Sequence, residues 1–334
     1  MAWQLYQGDA LETLKQMEDE SINCCVTSPP YWGLRDYGVE GQLGLEPTPE
    51  EYVAKMVEVF REVKRVLRKD GTLWLNLGDS YAGSWGNYAP TGQGGQRPKN
   101  TERWQREAYE GKADWRPPTS NKLEGLKPKD LVGIPWRVAF ALQADGWWLR
   151  SDIIWAKPNP MPESVTDRPT KAHEYIFLLS KSKRYFYDAD SIREPLSEQR
   201  AKQAGKLVDP GNDVKKRKKQ IEHDKKRGSG GHFDEHKWRM NPLGRNKRSV
   251  WTVATKPFPE VHFATFPPEL PEICIKAGCP KGGTVLDPFA GAGTTLFVAE
   301  QLWRNSIGIE LNPEYCEIIR RRMGGLEMNL FQIQ

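Results

Sequence analysis

Cysteine is scarce in this chain, with five residues in 334. An odd number at irregular spacing builds no disulfide framework, and a reducing, cytoplasmic setting is the expectation. No apolar run is longer than a strand, which argues against a transmembrane helix or a membrane partner. The opening MAWQLYQGDA has no basic stretch followed by an apolar one, so a secretory signal is not expected either. No internal repeat is visible. What remains is a chain with 38% hydrophobic and 28% charged residues, the balance of a soluble globular protein. Its length allows one large core, or a main body with a smaller lobe.

The net charge of +5 says little until its distribution is read. Ser191 to Val250 holds 17 Lys and Arg against 8 Asp and Glu, a net of +9, so the remainder carries −4. Positive charge confined to one segment of a slightly acidic chain is the footprint of a polyanion-binding lobe. A solvated basic loop would have the same composition.

The first third alternates as an α/β sheet does. A strand over Gln4 to Gln7 ends in Gly8-Asp9, and a helix runs from Ala10 to Met17. A strand Ile22 to Thr27 leads straight into Ser28-Pro29-Pro30-Tyr31. Pro49 to Leu67 is a helix with Tyr52, Met56, Val59, Val63 and Val66 on one face and Thr48 as N-cap. Lys69-Asp70-Gly71 is expected to turn the chain into a buried strand, Thr72 to Leu77. Tyr81 to Leu126 has no sustained period and reads as an insertion, with Trp85, Tyr88, Trp104 and Trp115 available to close over a ligand. A helix Ile134 to Ala144, strands Trp148 to Trp155 and Tyr175 to Ser180, and the basic segment follow. From Thr284 come a strand, a glycine-rich turn and a helix, then a strand Ser306 to Glu310 and a last helix.

Two motifs carry chemistry. In Asp287-Pro288-Phe289-Ala290-Gly291-Ala292-Gly293-Thr294-Thr295, the glycines permit a tight turn and a close approach to a ligand. The helix from Thr294 offers free amides to a carboxylate. Thirteen residues after Thr295 begins Gly308-Ile309-Glu310, an acid at the end of the next strand, where dinucleotide folds hold ribose hydroxyls. A purely structural strand-to-helix turn would explain the glycines but not Glu310. The second motif, Thr27-Ser28-Pro29-Pro30-Tyr31-Trp32, sits where open α/β sheets bind ligands. Its prolines stiffen the chain and leave carbonyls as fixed acceptors, and its aromatic can stack on a base lifted from a duplex. A Ser hydroxyl and a proline carbonyl accepting N–H protons would turn an amino lone pair toward an electrophile. A proline-rich turn closing a strand is the bland alternative.

TSPPYW with DPFAGAGTT resembles the amino-methyltransferases that modify DNA at cytosine N4 or adenine N6. The catalytic motif precedes the cofactor motif, as in the circularly permuted β class. Gly8-Asp9-Ala10, His262-Phe263-Ala264-Thr265-Phe266-Pro267 and Ile309-Glu310 extend the match. The resemblance implies a three-layer, Rossmann-like α/β fold, permuted, and S-adenosylmethionine as methyl donor. Residues 1–189 and 251–334 would form the catalytic domain, with a target-recognition region at 190–250. Ser28, Pro29, Pro30 and Tyr31 would hold the target base. Asp9, Ala10, Phe266, Pro267, Asp287, Phe289, Gly291, Gly293, Thr294, Thr295 and Glu310 would hold the cofactor. Arg193, Lys215, Lys216, Arg217, Lys218, Lys219, Arg245, Lys247 and Arg248 are candidates for contacts to double-stranded DNA. In this family Ser before Pro-Pro-Tyr goes mostly with N4 of cytosine, so direct transfer to that atom is the expectation, with N6 of adenine as the alternative. A cognate restriction endonuclease is a conceivable partner, and monomer and homodimer stay open.

Other chemistries fit less well. Transfer to cytosine C5 needs a thiolate nucleophile, but Cys24 and Cys25 lie inside a strand, where at most one is expected to face the core. Cys274, Cys279 and Cys316 lack metal-site spacing, and His223, His232 and His236 read as solvated or DNA-facing, so no metal is expected. A DNA-binding module without catalysis would not need both motifs.

Overall fold

The structure, a computed structural model, describes residues 2–34, 37–82, 125–196, 241, 243–256 and 266–331, with side chains to 324. The expectations for most of the Tyr81 to Leu126 insertion, for Lys215 to Lys219, for His223, His232 and His236, and for His262 to Thr265 lie outside these residues. The chain divides into a main unit, Met1–Tyr187 with Ser249–Gln334, and a second unit, Asp188–Arg248.

The main unit is an α/β body on one eight-stranded sheet. Its elements are β1 (Trp3–Gln7), α1 (Ala10–Lys15), β2 (Ile22–Thr27), α2 (Pro49–Val66), β3 (Leu67–Leu77), α3 (Ile134–Ala144), β4 (Trp148–Ala156), β5 (His173–Ser180), β6 (Val250–Thr252), α4 (Glu269–Gly278), β7 (Thr284–Asp287), α5 (Thr294–Gln301), β8 (Asn305–Glu310) and α6 (Pro313–Phe331). The strand order is β1-β8-β7-β2-β3-β5-β4-β6. Among the described strands only β5 runs antiparallel to its neighbours, β3 and β4. The carboxyl ends of β1, β8, β7, β2, β3 and β4 therefore share one edge with the amino end of β5. Between β7 and β2 the winding reverses, since β7 continues through α5 to β8 on one side and β2 through α2 to β3 on the other. Such a switch point opens a crevice at the carboxyl ends of the strands.

Alternate residues of the central strands meet different helices. Cys25, Leu73, Leu75, Leu77 and Phe177 join Leu14 of α1, the buried face of α2, and Val138 and Leu142 of α3 in one core. On the other face Cys24, Thr72 and Trp74 lie beneath Gly278 of α4, where an added Cβ would come within 2.4 Å of Trp74 Nε1. Helices on both faces make three layers. They also correct the reading of Cys24 and Cys25: both are fully buried, because a central strand has no solvent face.

Helix α2 forms as its pattern dictates. Thr48 Oγ1 accepts from Glu51 N at 3.2 Å, Pro49 stands at the first turn, and Tyr52, Met56, Val59, Phe60, Val63 and Val66 are buried. Each such side chain contributes roughly 1.5–3 kcal/mol on burial. The expected turn at Lys69 to Gly71 is instead part of a continuous strand. Ile22 pairs with Leu67 and Cys24 with Thr72, so the intervening residues of β3 bulge, and the carbonyls of Asp70 and Gly71 accept from Phe186 and Lys181. Helix α4, which was not anticipated, spans a segment whose prolines Pro267, Pro268 and Pro271 lie before or within its first turn, where a missing N–H costs little.

Candidate active site

The strand edge described above encloses a cavity of about 720 Å³. Of the residues expected to bind base or cofactor, Asp9, Ala10, Ser28, Pro29, Pro30, Tyr31, Phe266, Phe289, Gly291 and Glu310 line it. The two motifs are stitched together at its floor. Thr27 Oγ1 donates to Asp287 Oδ1 at 2.6 Å, the same oxygen accepts from Phe289 N at 3.1 Å, and Thr295 Oγ1 donates to the Val26 carbonyl at 3.3 Å. Burial raises the Asp287 carboxyl to about 6 against the hydrogen bonds from Thr27 and the Phe289 amide.

Asp287, Gly293, Thr294, Thr295 and Pro267 do not line the cavity. Gly293 has a left-handed backbone, φ 73°, and an added Cβ would stand 3.0 Å from Ile319 of α6. That close packing, rather than approach to a ligand, accounts for the glycine. Thr294 and Thr295 are buried, and Thr294 Oγ1 accepts from Arg322 at 3.1 Å. The first residues of α5 thus brace α6 and β2 instead of facing a ligand carboxylate.

At one end of the cavity, β1 and β8 run parallel with Gln7 opposite Glu310, and Gly8 N donates to the Glu310 carbonyl at 3.0 Å. The Glu310 carboxylate accepts from Gly291 N at 2.7 Å and from Asn312 N at 2.8 Å, one on each oxygen. Each oxygen keeps a lone pair for a hydroxyl, the acceptor set a ribose diol requires. Burial pushes this carboxyl up to about 7, opposed by those amides. Asp9 Oδ1 caps α1 through Glu12 N at 2.9 Å. Tyr37 and Tyr315, edge to face at 6.5 Å, line the same end. Shape, acid and aromatic lining fit an adenosyl group.

At the other end the Tyr31 ring lies against Gly78, where a Cβ would come within 2.5 Å of Cε2. Tyr31 Oη donates to Glu174 Oε2 at 2.8 Å and stands 3.1 Å from Asn76 Oδ1. Ser28 Oγ donates to Tyr31 Oη at 3.3 Å. Asn76 Nδ2 donates to Glu174 Oε2 at 3.2 Å and to the Tyr175 carbonyl at 3.0 Å, and Lys157 pairs with Glu174 Oε1. Burial, then the neighbouring Glu174, drives the Tyr31 phenol well above its ordinary value. Of the two proline carbonyls, that of Pro30 already accepts from Tyr52 at 2.8 Å.

Asn76, Asp79, Lys157, Lys171 and Glu174 were missed in the sequence, and all line the cavity. Asp79 Oδ1 accepts from the amides of Ser80, Gly133 and Ile134, tying the start of α3 to the end of β3. Asn76 had a signal, a lone polar residue in the apolar run Leu73 to Leu77; Glu174 had none, because its partners come from other strands. The cysteines carry no chemistry here. All five are buried and free, and burial raises the Cys24 and Cys25 thiols well above their ordinary range.

In the second unit, Glu194 and Arg245 form an antiparallel bridge. The Glu194 carboxylate accepts from Arg245 and Arg248 at 3.0 and 2.9 Å, with Lys247 at 3.7 Å. Burial would raise this carboxyl, but hydrogen bonds from Arg248 and the charges around it hold it below the ordinary value. Arg193 bonds Asp190 and Asn246 at 2.6 and 2.7 Å. These four cations, expected at phosphates, thus serve first to hold their own unit together.

A family profile described as DNA methylase, of the N6/N4 methyltransferase type, matches residues 22–321. The type II methyltransferase M.SmaI of Serratia marcescens is 46% identical over 317 residues, covering 95% of this chain and 89% of the relative. M.Cfr9I of Citrobacter freundii, also a type II methyltransferase, is 45% identical over 330 residues, 98% of this chain and 90% of the relative. Among solved structures, PvuII DNA methyltransferase (cytosine-N4-specific) aligns with a TM-score of 0.60 and 18% identity, over 96% of this chain and 86% of that one. TTHA0409 of Thermus thermophilus, solved with S-adenosyl-L-methionine, aligns at 0.53 with 23% identity, over 96% and 94%. These likenesses support the fold.

Proposed function

This chain belongs to the N6/N4 DNA methylase family, and from that premise we propose that it methylates N4 of cytosine in duplex DNA. The observation that carries the proposal is Ser28, a hydroxyl rather than a carboxylate or amide, on the wall of the cavity that Phe289 also lines. That a solved protein of this fold is named cytosine-N4-specific agrees with it.

S-adenosylmethionine supplies a methyl group made electrophilic by its sulfonium. Glu310 would hold the ribose hydroxyls and Phe289, Phe266 and Asp9 would border the adenosyl and methionine portions, while the Gly291 amide keeps the Glu310 carboxylate in place. The target cytosine turns out of the duplex into the Tyr31 end of the cavity. Ser28 Oγ and the Pro29 carbonyl accept the two amino protons, the Pro30 carbonyl already accepting from Tyr52. That draws the nitrogen lone pair out of conjugation and aims it at the methyl carbon. The cofactor would give up its methyl to the amino nitrogen and leave as S-adenosylhomocysteine, and the surplus amino proton would pass by way of the acceptors Ser28 Oγ and the Pro29 carbonyl to water. No covalent enzyme intermediate is needed; catalysis rests on positioning and on acceptors placed where positive charge develops.

The second unit and the basic segment provide phosphate contacts and sequence reading. Since the relatives are named type II methyltransferases, the biological setting we infer is restriction–modification, with an endonuclease that cuts the same unmethylated site as partner. The decisive experiment is expression in a host lacking the modification, digestion of its DNA to nucleosides and mass analysis. N4-methylcytosine is expected. N6-methyladenine alone would assign the adenine alternative, and genome-wide mapping of the modified positions would give the recognition sequence.

A further inference from the structure

The hydroxyl of Ser28 could face the base as donor or as acceptor, and only the second suits an amino group. Its surroundings decide between them. Tyr31 Oη is approached from inside by Glu174 Oε2 at 2.8 Å and by Asn76 Oδ1 at 3.1 Å. Both are acceptors, and an ionised carboxylate has nothing to donate. The Tyr31 proton must therefore point inward, leaving a lone pair toward Ser28 Oγ at 3.3 Å. The Ser28 proton then points to Tyr31, and its own lone pairs face the cavity. Asn76 cannot turn over without losing its bonds to Glu174 and to the Tyr175 carbonyl. Lys157 holds the other Glu174 oxygen.

We propose that Glu174 is a positioning residue that sets the direction of the Ser28–Tyr31–Glu174 hydrogen-bond chain and so makes the site select an exocyclic amino group over a carbonyl. A carbonyl at that position, as in uracil or hypoxanthine, would set lone pairs against lone pairs. The proposal rests on Ser28 meeting the target amino group, and it holds for cytosine or adenine alike.

The test compares wild type with Glu174→Gln, Tyr31→Phe, Ser28→Ala and the two double variants containing Ser28→Ala. Glu174→Gln is near-isosteric but brings an amide donor to a place that needs an acceptor. Tyr31→Phe leaves the Glu174–Lys157 pair intact, so a folding failure of the first variant does not end the test. Each is expected to lower the single-turnover methyl-transfer rate about tenfold or more, the worth of one misdirected hydrogen bond, with S-adenosylmethionine affinity unchanged. In the Ser28→Ala background both losses should vanish. The ratio of affinities for duplexes carrying the target base and its carbonyl counterpart, measured with S-adenosylhomocysteine bound, should fall by a similar factor. Losses that persist undiminished without Ser28, or an unaltered base ratio, would overturn the role given to Glu174. A Ser28→Ala enzyme with full activity would instead overturn the placement of Ser28, whatever Glu174 does.

Discussion

Thr27 and Asp287, 260 positions apart in the chain, share a hydrogen bond of 2.6 Å at the floor of the cavity. Through it the strand that ends in the base-binding motif is fastened to the strand that ends in the cofactor motif. Replacing Thr27 with Val keeps the shape and removes the donor. Loss of a buried hydrogen bond to a carboxyl should cost about 1–3 kcal/mol, read as a lower urea midpoint. Cofactor affinity and turnover should fall together, because the stitch serves both halves. Wild-type stability in this variant would mean the two strands are held by sheet pairing alone.

The proposed reading places Ser28 at the base and away from the cofactor. Ser28→Ala is expected to reduce turnover by about a hundredfold, in the range of a single lost transition-state acceptor, while the dissociation constant for S-adenosylmethionine stays within about twofold of wild type. Calorimetry beside single-turnover kinetics separates the two. Equal losses would show that the halves are wrongly divided.

Gly78 makes room for the Tyr31 ring, and a Cβ there would intrude to 2.5 Å. Gly78→Ala should push the ring from its place and cut turnover about tenfold or more, as small misplacements near reacting atoms do. Cofactor binding should be spared. Unimpaired turnover would mean Tyr31 can move without consequence.

The Glu310 carboxyl, raised by burial to about 7, makes cofactor binding pH-dependent. Ionised, it accepts on both oxygens; protonated, one oxygen becomes a donor and a ribose hydroxyl loses its partner. Affinity should therefore rise with pH up to about 7 and level off above it, the slope approaching tenfold per unit on the acid side. Stability of the free protein runs the other way. The folded state holds this proton more tightly than the unfolded chain, so the contribution is full below the ordinary value of 4.5 and lost as pH climbs through about 7. Calorimetric titrations in the cofactor should show the rise, and Glu310→Gln should flatten it. A pH-independent wild type would contradict the ribose assignment.

We propose that the basic run Lys215 to Lys219, five cations in succession, contacts DNA phosphates. Changing the five residues to Gln should flatten the logarithmic salt dependence of DNA binding by about 0.9 for each phosphate no longer neutralised. Arg248→Gln should change the slope by about 0.9 or less, the equivalent of a single phosphate. An unaltered slope in the five-residue variant would remove that run from the interface.

Much of the fold was legible because the local signals agree. Thr48, Pro49 and the apolar face of α2 specify that helix without help from elsewhere, and both motifs sit where strands end. The Lys69 to Gly71 turn was misread because its carbonyls are satisfied by Phe186 and Lys181, more than 100 residues away. Helix α4 was missed because prolines hide a start they do not prevent. In the site, Glu310 announced itself by spacing from a glycine turn. Gly293 and Thr294 lie off the cavity, and a glycine packed against Ile319 looks the same in sequence as one needed for a ligand.

From the sequence alone followed the two motifs, their order, the class of chemistry and the separation of charge, because each depends on residues close together in the chain. Tertiary structure alone decided which motif residues face the cavity, that the Pro30 carbonyl accepts from Tyr52, and that Asn76, Lys157 and Glu174 stand behind Tyr31. The reason is the sheet itself. One antiparallel strand among parallel neighbours brings the start of β5 to the edge where the others end, and no local pattern records which strands will be neighbours.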